Sequence, residues 1–260
     1  MSDRLVILGS GTSFGVPVIG CDCAVCSSND PRDRRTRTCA VVEIGGSRIL
    51  IDTPPELRLQ LVREGVGSVD AVLYTHEHAD HIHGIDDLRA ISVRLEQGKL
   101  PVYGPAETIA RLEARFDYIF DDGVAPPPGT SKPQLVATAL EPYEECEVAG
   151  IAVLPLECDH GGTRVFGYRF GPVAYLTDVK RVPQATLDRL DGVEALVVNA
   201  LFDRPHPTHL SIDEAVDLAA AVGARRAYLT HLTHRFSHAQ LESRLPDGVS
   251  PAYDGLEIAF

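Results

Sequence analysis

The chain has 260 residues, 44% of them hydrophobic and 23% charged, enough to bury a substantial core as one large α/β unit or two smaller ones. A formal net charge of −13 argues against a broad electrostatic grip on nucleic acid, and no apolar run approaches the roughly 18 residues of a membrane span. Met1-Ser2-Asp3-Arg4-Leu5 runs directly into a strand pattern without a signal peptide's basic start, so a cytoplasmic protein is expected. In a reducing compartment the six clustered cysteines read as metal ligands before disulfides.

Leu5-Val6-Ile7-Leu8 predicts a buried strand, broken by Gly9-Ser10-Gly11-Thr12-Ser13, a turn whose backbone amides could also wrap an anion. Gly20-Cys21-Asp22-Cys23-Ala24-Val25-Cys26 places three thiolates at a spacing that fills three corners of a tetrahedral zinc site. The polar surroundings of these cysteines make core packing a poor alternative. The fourth corner is open to Cys39 or to a histidine later in the chain. Arg32, Arg34, Arg35 and Arg37 form a basic cluster that reads as a solvated loop, with a phosphate contact as the alternative. Cys39–Ile44 and Arg48–Asp52 predict a hairpin through Gly45-Gly46, with Asp52 ending a buried strand where it can orient other ligands. A helix is expected from Pro55 to Arg63, stopped near Gly65.

The strand Asp70–Tyr74 then delivers Thr75-His76-Glu77-His78-Ala79-Asp80-His81. Imidazole and carboxylate suit zinc, manganese and iron, and residues two apart in extended chain point the same way. His76 and His78 can therefore share one ion, while Asp80 and His81, past the next bend, face a second. A helical His-Glu-x-x-His site is excluded, because position 80 is aspartate. Helices are expected over Ile85–Glu96 and Ala106–Phe116, with a short strand at Leu100–Pro105 between them. The Pro- and Gly-rich Asp121–Pro133 reads as a loop dividing two similar halves. The second half repeats one pattern, an apolar strand followed by His or Asp: Ile151–Leu156 leads to His160, Val173–Thr177 to Asp178, Ala195–Asn199 to His206 and His209, and Arg226–Thr230 to His231 and His234. Strand ends are where α/β scaffolds gather a site from distant sequence.

His76-x-His78-x-Asp80-His81, followed by His160, Asp178 and His231, resembles the metallo-β-lactamase-fold hydrolases over nearly the whole chain. The resemblance implies a single hydrolase domain over residues 1–260, an αβ/βα sandwich of two mixed sheets with outer helices and metals at one edge. It implies that His76, His78 and His160 hold one divalent ion (zinc or manganese), that Asp80, His81 and His231 hold another, and that Asp178 bridges them. Gly11-Thr12-Ser13, Pro17, the cysteine triad and Leu229-Thr230-His231-x-x-His234-x-Phe236 further resemble the PhnP group, the phosphoribosyl cyclic phosphate phosphodiesterases of the carbon–phosphorus lyase pathway. By that match the loop at about 20–39 binds a structural zinc through Cys21, Cys23, Cys26 and His234, and His209 is the general acid. Asp52 steadies the cage. His206 has no clear counterpart, His83 is structural or supports the ligand loop, and His238 belongs to the surface.

The implied activity is hydrolysis of a small, cyclic phosphodiester such as 5-phosphoribosyl 1,2-cyclic phosphate, or alternatively of cyclic nucleotides or short nucleotide diesters. Neither a long nucleic acid nor a membrane is an expected partner, and the resemblance allows a homodimer. Transfer-RNA 3′-processing endonucleases share the ligands but need a basic arm that this sequence does not offer. Thioester hydrolases of the glyoxalase II type give the cysteine triad no role. An inert metal-bearing scaffold would require a degraded cage.

Overall fold

The computed structural model describes residues 3–95 and 98–260. Among these, fourteen strands form two seven-stranded mixed sheets. The first contains β1 (Arg4–Gly9), β2 (Cys39–Ile44), β3 (Ser47–Ile51), β4 (Ala71–Leu73), β5 (Leu100–Pro105) and β6 (Leu135–Leu140) in chain order. The second contains β7 (Cys146–Val148), β8 (Ile151–His160), β9 (Thr163–Phe170), β10 (Val173–Leu176), β11 (Ala195–Asn199), β12 (Arg226–Thr230) and β13 (Val249–Pro251). The final strand, β14 (Glu257–Ala259), returns to the first sheet and pairs antiparallel with β1.

Nearly continuous apolar strands are what burial on both faces requires, and period-two alternation sorts the side chains between those faces. Leu5, Ile7, Ala40, Val42, Ile49 and Ile51 point inward, against Phe166, Tyr168, Tyr175 and Val197 of the second sheet. Their alternates Val6, Leu8, Val41 and Leu50 point outward to helices α1 (Leu57–Arg63) and, further along, α4 (Ala106–Arg115), through Leu57, Leu61, Ile109 and Leu112. On the opposite side Ala174, Leu176, Leu196 and Val198 meet α6 (Gln184–Leu190), α7 (Ile212–Ala221) and α8 (His238–Glu242). The four layers expected of the sandwich are thus present. The shorter helices α2 (Ala79–Ile82), α3 (Arg89–Ser92) and α5 (Asp117–Phe120) punctuate the first half.

Several elements depart from the sequence reading. The expected Ile85–Glu96 helix is a 3-10 turn over Ile85–Leu88 continued by α3; it stops where the buried Ser92 hydroxyl accepts from the Gln134 amide at 3.0 Å. Its last expected residue, Glu96, lies outside the described residues, as do Met1 and Ser2 of the leader reading. Asp121–Pro133 does not divide the halves: it leads into β6, which runs parallel to β5 in the first sheet, so the sheets part only after Leu140. Turn residues mark a crossover as readily as a boundary. β8 continues through His160 itself and turns at Gly161-Gly162, both in left-handed backbone, into the long partner β9, which alternation did not reveal because Arg164, Gly167 and Arg169 interrupt it.

The glycine turn after β1 is a packing device. A Cβ at Gly9 would lie 1.9 Å from the Arg37 carbonyl oxygen, so the loop exists to let two backbones touch, and the anion-wrapping alternative is not what shapes it.

One hydrogen bond ties the two sheets directly at the site edge. The buried Tyr168 hydroxyl, on β9, donates to the carbonyl of Tyr74, the residue that precedes the histidine loop, at 2.6 Å. Tyr168→Phe is expected to cost about 1–3 kcal/mol of stability by stripping that carbonyl's partner. Urea denaturation checks this; a midpoint equal to the parent's would show that the bond contributes nothing.

Candidate metal centre

The candidate ligands arrive at one edge of the sandwich from the C-terminal ends of β3, β4, β8, β10 and β12. Three of those ends bend through left-handed backbone at a residue other than glycine: Asp52 (φ 63°), Asp178 (φ 57°) and His231 (φ 56°). Such backbone costs on the order of 1–3 kcal/mol per residue and persists only where the surroundings enforce it. Here it turns each chain abruptly so that a carboxylate or an imidazole faces the edge.

Around Asp178 the fold assembles a dense cluster. His231 Nε2 lies 3.2 Å from Asp178 Oδ1, His81 Nε2 3.1 Å from Oδ2, and Asp80 Oδ2 3.5 Å from the same His81 nitrogen. His76 and His78 pack edge to face at 4.5 Å between ring centroids, each within 5.6 Å of His160. Two sets of donor atoms, His76/His78/His160 and Asp80/His81/His231, each converge closely enough to hold an ion, and Asp178 also groups with His76 and His81. The expected seven residues are therefore together, in the two expected triplets around one shared carboxylate.

Their orientation is fixed from behind. The Asp52 carboxylate accepts from the Thr75 amide (2.8 Å), the Thr75 hydroxyl (2.8 Å) and His81 Nδ1 (2.7 Å). Since the Thr75 hydroxyl hydrogen is committed to Asp52, His76 Nδ1 donates to the Thr75 oxygen at 3.0 Å. His160 Nδ1 donates to the Thr208 carbonyl at 2.7 Å. For His76 and His160 the back-side bond leaves Nε2 without hydrogen, aimed forward, as metal-ligating histidines require; His81, which Asp178, Asp52 and Asp80 hold well above its ordinary pKa against the pull of burial, would reach that state when an ion displaces its Nε2 proton. The Nε2 atoms of His76, His81 and His231 are buried and make no hydrogen bond. Leaving three ring nitrogens orphaned is expensive unless a cation completes them, so this donor set fits a pair of divalent ions. Burial pushes the His76 imidazole well below its ordinary pKa, keeping it neutral as a ligand must be. Burial alone would raise Asp178, yet the surrounding His231 and His81 hold it well below the carboxylate range.

His209 reaches the same edge from the loop before α7, whose first turn is closed by a Ser211/Glu214 capping box. Its Nε2 donates to Asp178 Oδ1 at 2.9 Å, and its Nδ1 shares a hydrogen bond with the Thr208 hydroxyl at 2.8 Å. His206 sits one ring further out, 5.5 Å from His209 between centroids.

The cysteine loop forms a second cluster. His234 Nδ1 lies 3.4, 3.5 and 3.3 Å from the sulfurs of Cys21, Cys23 and Cys26. A tetrahedron with Zn–S near 2.3 Å and Zn–N near 2.0–2.1 Å has S···N edges of about 3.5 Å, so the four atoms fit zinc. The Cys26 amide donates to Cys23 Sγ and lowers that thiol to about 6, favouring thiolate. Cys39, the other candidate, is buried elsewhere with its thiol against the Asp52 carbonyl at 3.4 Å.

Two sequence readings are corrected. The arginine cluster is a solvated loop only in part: Arg34 is exposed, but Arg35 is 1% exposed, bonded to the carbonyls of Thr233 and Phe236 and paired with Asp33, because a guanidinium can satisfy several carbonyls that a loop leaves open. Arg37 pairs with Glu56 at 2.5 Å. His238 is buried, not superficial: its amide donates to Asp33 at 2.6 Å and its ring packs on Tyr253. His83 is exposed against Phe116, away from the ligands. Three positioning residues went unread. Thr75 precedes the ligand His76 and Thr208 precedes His209, a usable signal; the buried Asn199, which clasps both backbone groups of Val179 behind Asp178 (2.7 and 3.1 Å), shows only as a polar residue ending an apolar strand.

The Beta-lactamase superfamily domain family matches residues 47–232. A crystal structure of a diphosphatase from the PhnP family is 42% identical, with a TM-score of 0.92, covering 100% of this chain and 98% of that one. An octanoyltransferase of Porphyromonas gingivalis is 40% identical over 98% of this chain, which spans only 51% of that protein's length. A ribonuclease Z of Mycobacterium sp. (strain KMS) is 29% identical over 77% of this chain and 79% of its own.

Asp52→Asn would present an amide to His81 and is expected to weaken divalent binding about 10–100-fold, read by competition with a fluorescent chelator; parental affinity would show that Asp52 does not tune the cage. Cys23→Ser is expected to lose one zinc equivalent by elemental analysis and to lower the melting temperature, and unchanged values of both would refute a zinc brace.

Proposed function

Because the chain belongs to the metallo-β-lactamase superfamily, within its PhnP group, we propose that it is a dinuclear-metal phosphodiesterase that hydrolyses a small, cyclic phosphodiester such as 5-phosphoribosyl 1,2-cyclic phosphate to a phosphomonoester. Support comes above all from one arrangement: two triplets of metal-type donors share a buried carboxylate, and a protonated His209 nitrogen faces the same point.

His76, His78 and His160 would hold one ion, Asp80, His81 and His231 the other, with Asp178 between them. A bound ion pair of this kind supplies an activated water and neutralises charge on phosphate oxygens. The chain's own contribution is placement and one proton. Asp52, through Thr75 and His81, and Thr208, through His160, keep the ligand rings from turning. The Thr208 amide donates to His206 Nδ1 at 3.4 Å, so that nitrogen accepts; the Thr208 hydroxyl can give it its hydrogen at 3.2 Å and leaves its oxygen open to a proton on His209 Nδ1 at 2.8 Å. With Asp178 Oδ1, which can only accept, facing Nε2, His209 has an acceptor for a proton on each ring nitrogen and can act as an imidazolium with its Nε2 proton toward the centre. From there it can pass to the alkoxide released when the P–O bond breaks, help worth about 10²–10⁴ in rate.

A pyrophosphate diester presents the same kind of phosphorus, and a 42% identical relative described as a diphosphatase favours that bond as the second reading. Ribonuclease Z chemistry on a long RNA is disfavoured by the net charge of −13. The octanoyltransferase is a protein of which this chain spans 51%, and its activity is not carried over.

The test is initial-rate hydrolysis with zinc and with manganese on 5-phosphoribosyl 1,2-cyclic phosphate, a 2′,3′-cyclic nucleotide, a dinucleoside pyrophosphate, a precursor transfer RNA and a glutathione thioester. His209→Ala is expected to lower kcat on the cyclic diester by about 10²–10⁴ while the zinc and manganese content stays at the parental level. Turnover confined to the RNA or the thioester would overturn the proposal, and turnover of the pyrophosphate alone would replace the substrate while keeping the mechanism.

A further inference from the structure

The loop between β11 and α7 is closed at its base by two backbone bonds, from the Leu201 amide to the Leu210 carbonyl (3.0 Å) and from the Ile212 amide to the Phe202 carbonyl (2.8 Å). At its tip, Pro205-His206-Pro207 sets a half-buried imidazole between two prolines. Each proline fixes its own φ, and the second disfavours helical backbone at His206, so the residue is held stiffly. The His206 ring packs 5.7 Å from that of Phe202 and 5.5 Å from that of His209. Its one hydrogen-bond partner among the described residues is Thr208.

Thr208 is a junction. Its carbonyl accepts from His160 Nδ1 at 2.7 Å, while its hydroxyl lies 2.8 Å from His209 Nδ1 and 3.2 Å from His206 Nδ1. The β8–β9 turn packs directly on it, since a Cβ at Gly161 would stand 2.6 Å from Thr208 Cγ2. A hydroxyl carries one hydrogen and can give it to only one of the two imidazoles. His206 Nδ1 accepts from the Thr208 amide at 3.4 Å, and burial, with the charge of Lys180, keeps that ring below its ordinary pKa. Its lone pair is therefore there to take the hydroxyl hydrogen as well. Resting on the phosphodiesterase reading above, we propose that His206 is a positioning residue for the acid: by claiming the Thr208 hydroxyl hydrogen it commits the oxygen to His209 Nδ1, and so holds that ring with Nε2 on the centre. The same Thr208 orients the ligand His160 through its carbonyl, so acid and ligand are aligned by one residue whose hydroxyl His206 directs.

The experiment measures kcat and KM of the metal-loaded protein on 5-phosphoribosyl 1,2-cyclic phosphate and on bis(p-nitrophenyl) phosphate, whose p-nitrophenolate leaves without needing a proton. His206→Ala is expected to lower kcat on the cyclic diester about three- to tenfold more than on the nitrophenyl ester, the worth of one hydrogen bond, with KM and bound metal at parental levels. His206→Asn, whose side-chain oxygen can take the place of Nδ1, is expected to restore the rate, and the longer side chain of His206→Gln is not. In a Thr208→Val background His206→Ala is expected to add no further loss, because the two residues act through one bond. Nitrogen NMR of histidine-labelled protein, assigned by the signal lost in His206→Asn, is expected to show His206 in its Nε2–H form. An Nδ1–H form, an equal loss on both esters, or an undiminished loss in the Thr208→Val background overturns the role and leaves the phosphodiesterase reading standing. A parent that leaves the cyclic diester intact overturns the cyclic-diester reading, and this inference with it.

Discussion

A carboxylate with 3% exposed side chain cannot remain ionised without partners of opposite charge, and Asp178 sets that requirement for this fold. Its two oxygens meet His81, His209 and His231 and the Thr177 hydroxyl, groups drawn from four separate stretches of chain. Of these imidazoles, His81 is held from behind by Asp52 and His209 from beside by the Thr208 hydroxyl. The site is a nested set of polar debts that only close when the strand ends stand in register. Much of the sandwich can be understood as what holds those ends there.

Two braces fasten the loop that carries His231. His234, three residues on, reaches the cysteine loop, and Arg35, from the same N-terminal region, caps the Thr233 and Phe236 carbonyls. Asp33 connects that arginine to the His238 amide at the start of α8. Removing one member of such a buried pair leaves an uncompensated charge, whereas the intact set helps fix a loop whose β pairing is a single bridge from Leu232 to Gly11. The bond from the Leu232 amide to the Ser10 carbonyl, at 2.8 Å, shows the same loop pinned from a third direction. Chain far from the dinuclear edge in sequence thus determines where His231 stands.

The legibility of the chain follows from the range of the forces involved. Central strands such as Leu5–Leu8 and Ala195–Asn199 are readable because burial on both faces demands unbroken apolar residues. The ligand loop is readable because four donor-type residues at positions 76–81 have no structural economy otherwise. The edge strands β6, β13 and β14 are short or half exposed and give no such pattern. The fate of Arg35 was hidden for a different reason. Its value lies in carbonyls about 200 residues away, and no local window records them. His238 was misplaced likewise, since its burial comes from Tyr253 and Asp33, both distant in sequence.

Electrostatics reconcile an acidic protein with an anionic substrate. A net charge of −13 would repel phosphate if spread evenly, but the field near a cleft depends on local groups. At the proposed site the carboxylates Asp52, Asp80 and Asp178 are matched by imidazoles, and bound divalent ions would turn the local sign positive. Arg204 and Lys180 add positive charge near His206, where Glu214 holds Lys180 at 2.7 Å, and Arg115 reaches the ligand loop at the Glu77 carbonyl. An acidic net charge opposes a polymer whose flanking phosphates must lie along the surface, whereas a small anion meets only the groups beside the site. The net charge thus bears on the size of substrate the proposed site would accept, and the donor cage on the chemistry it would perform.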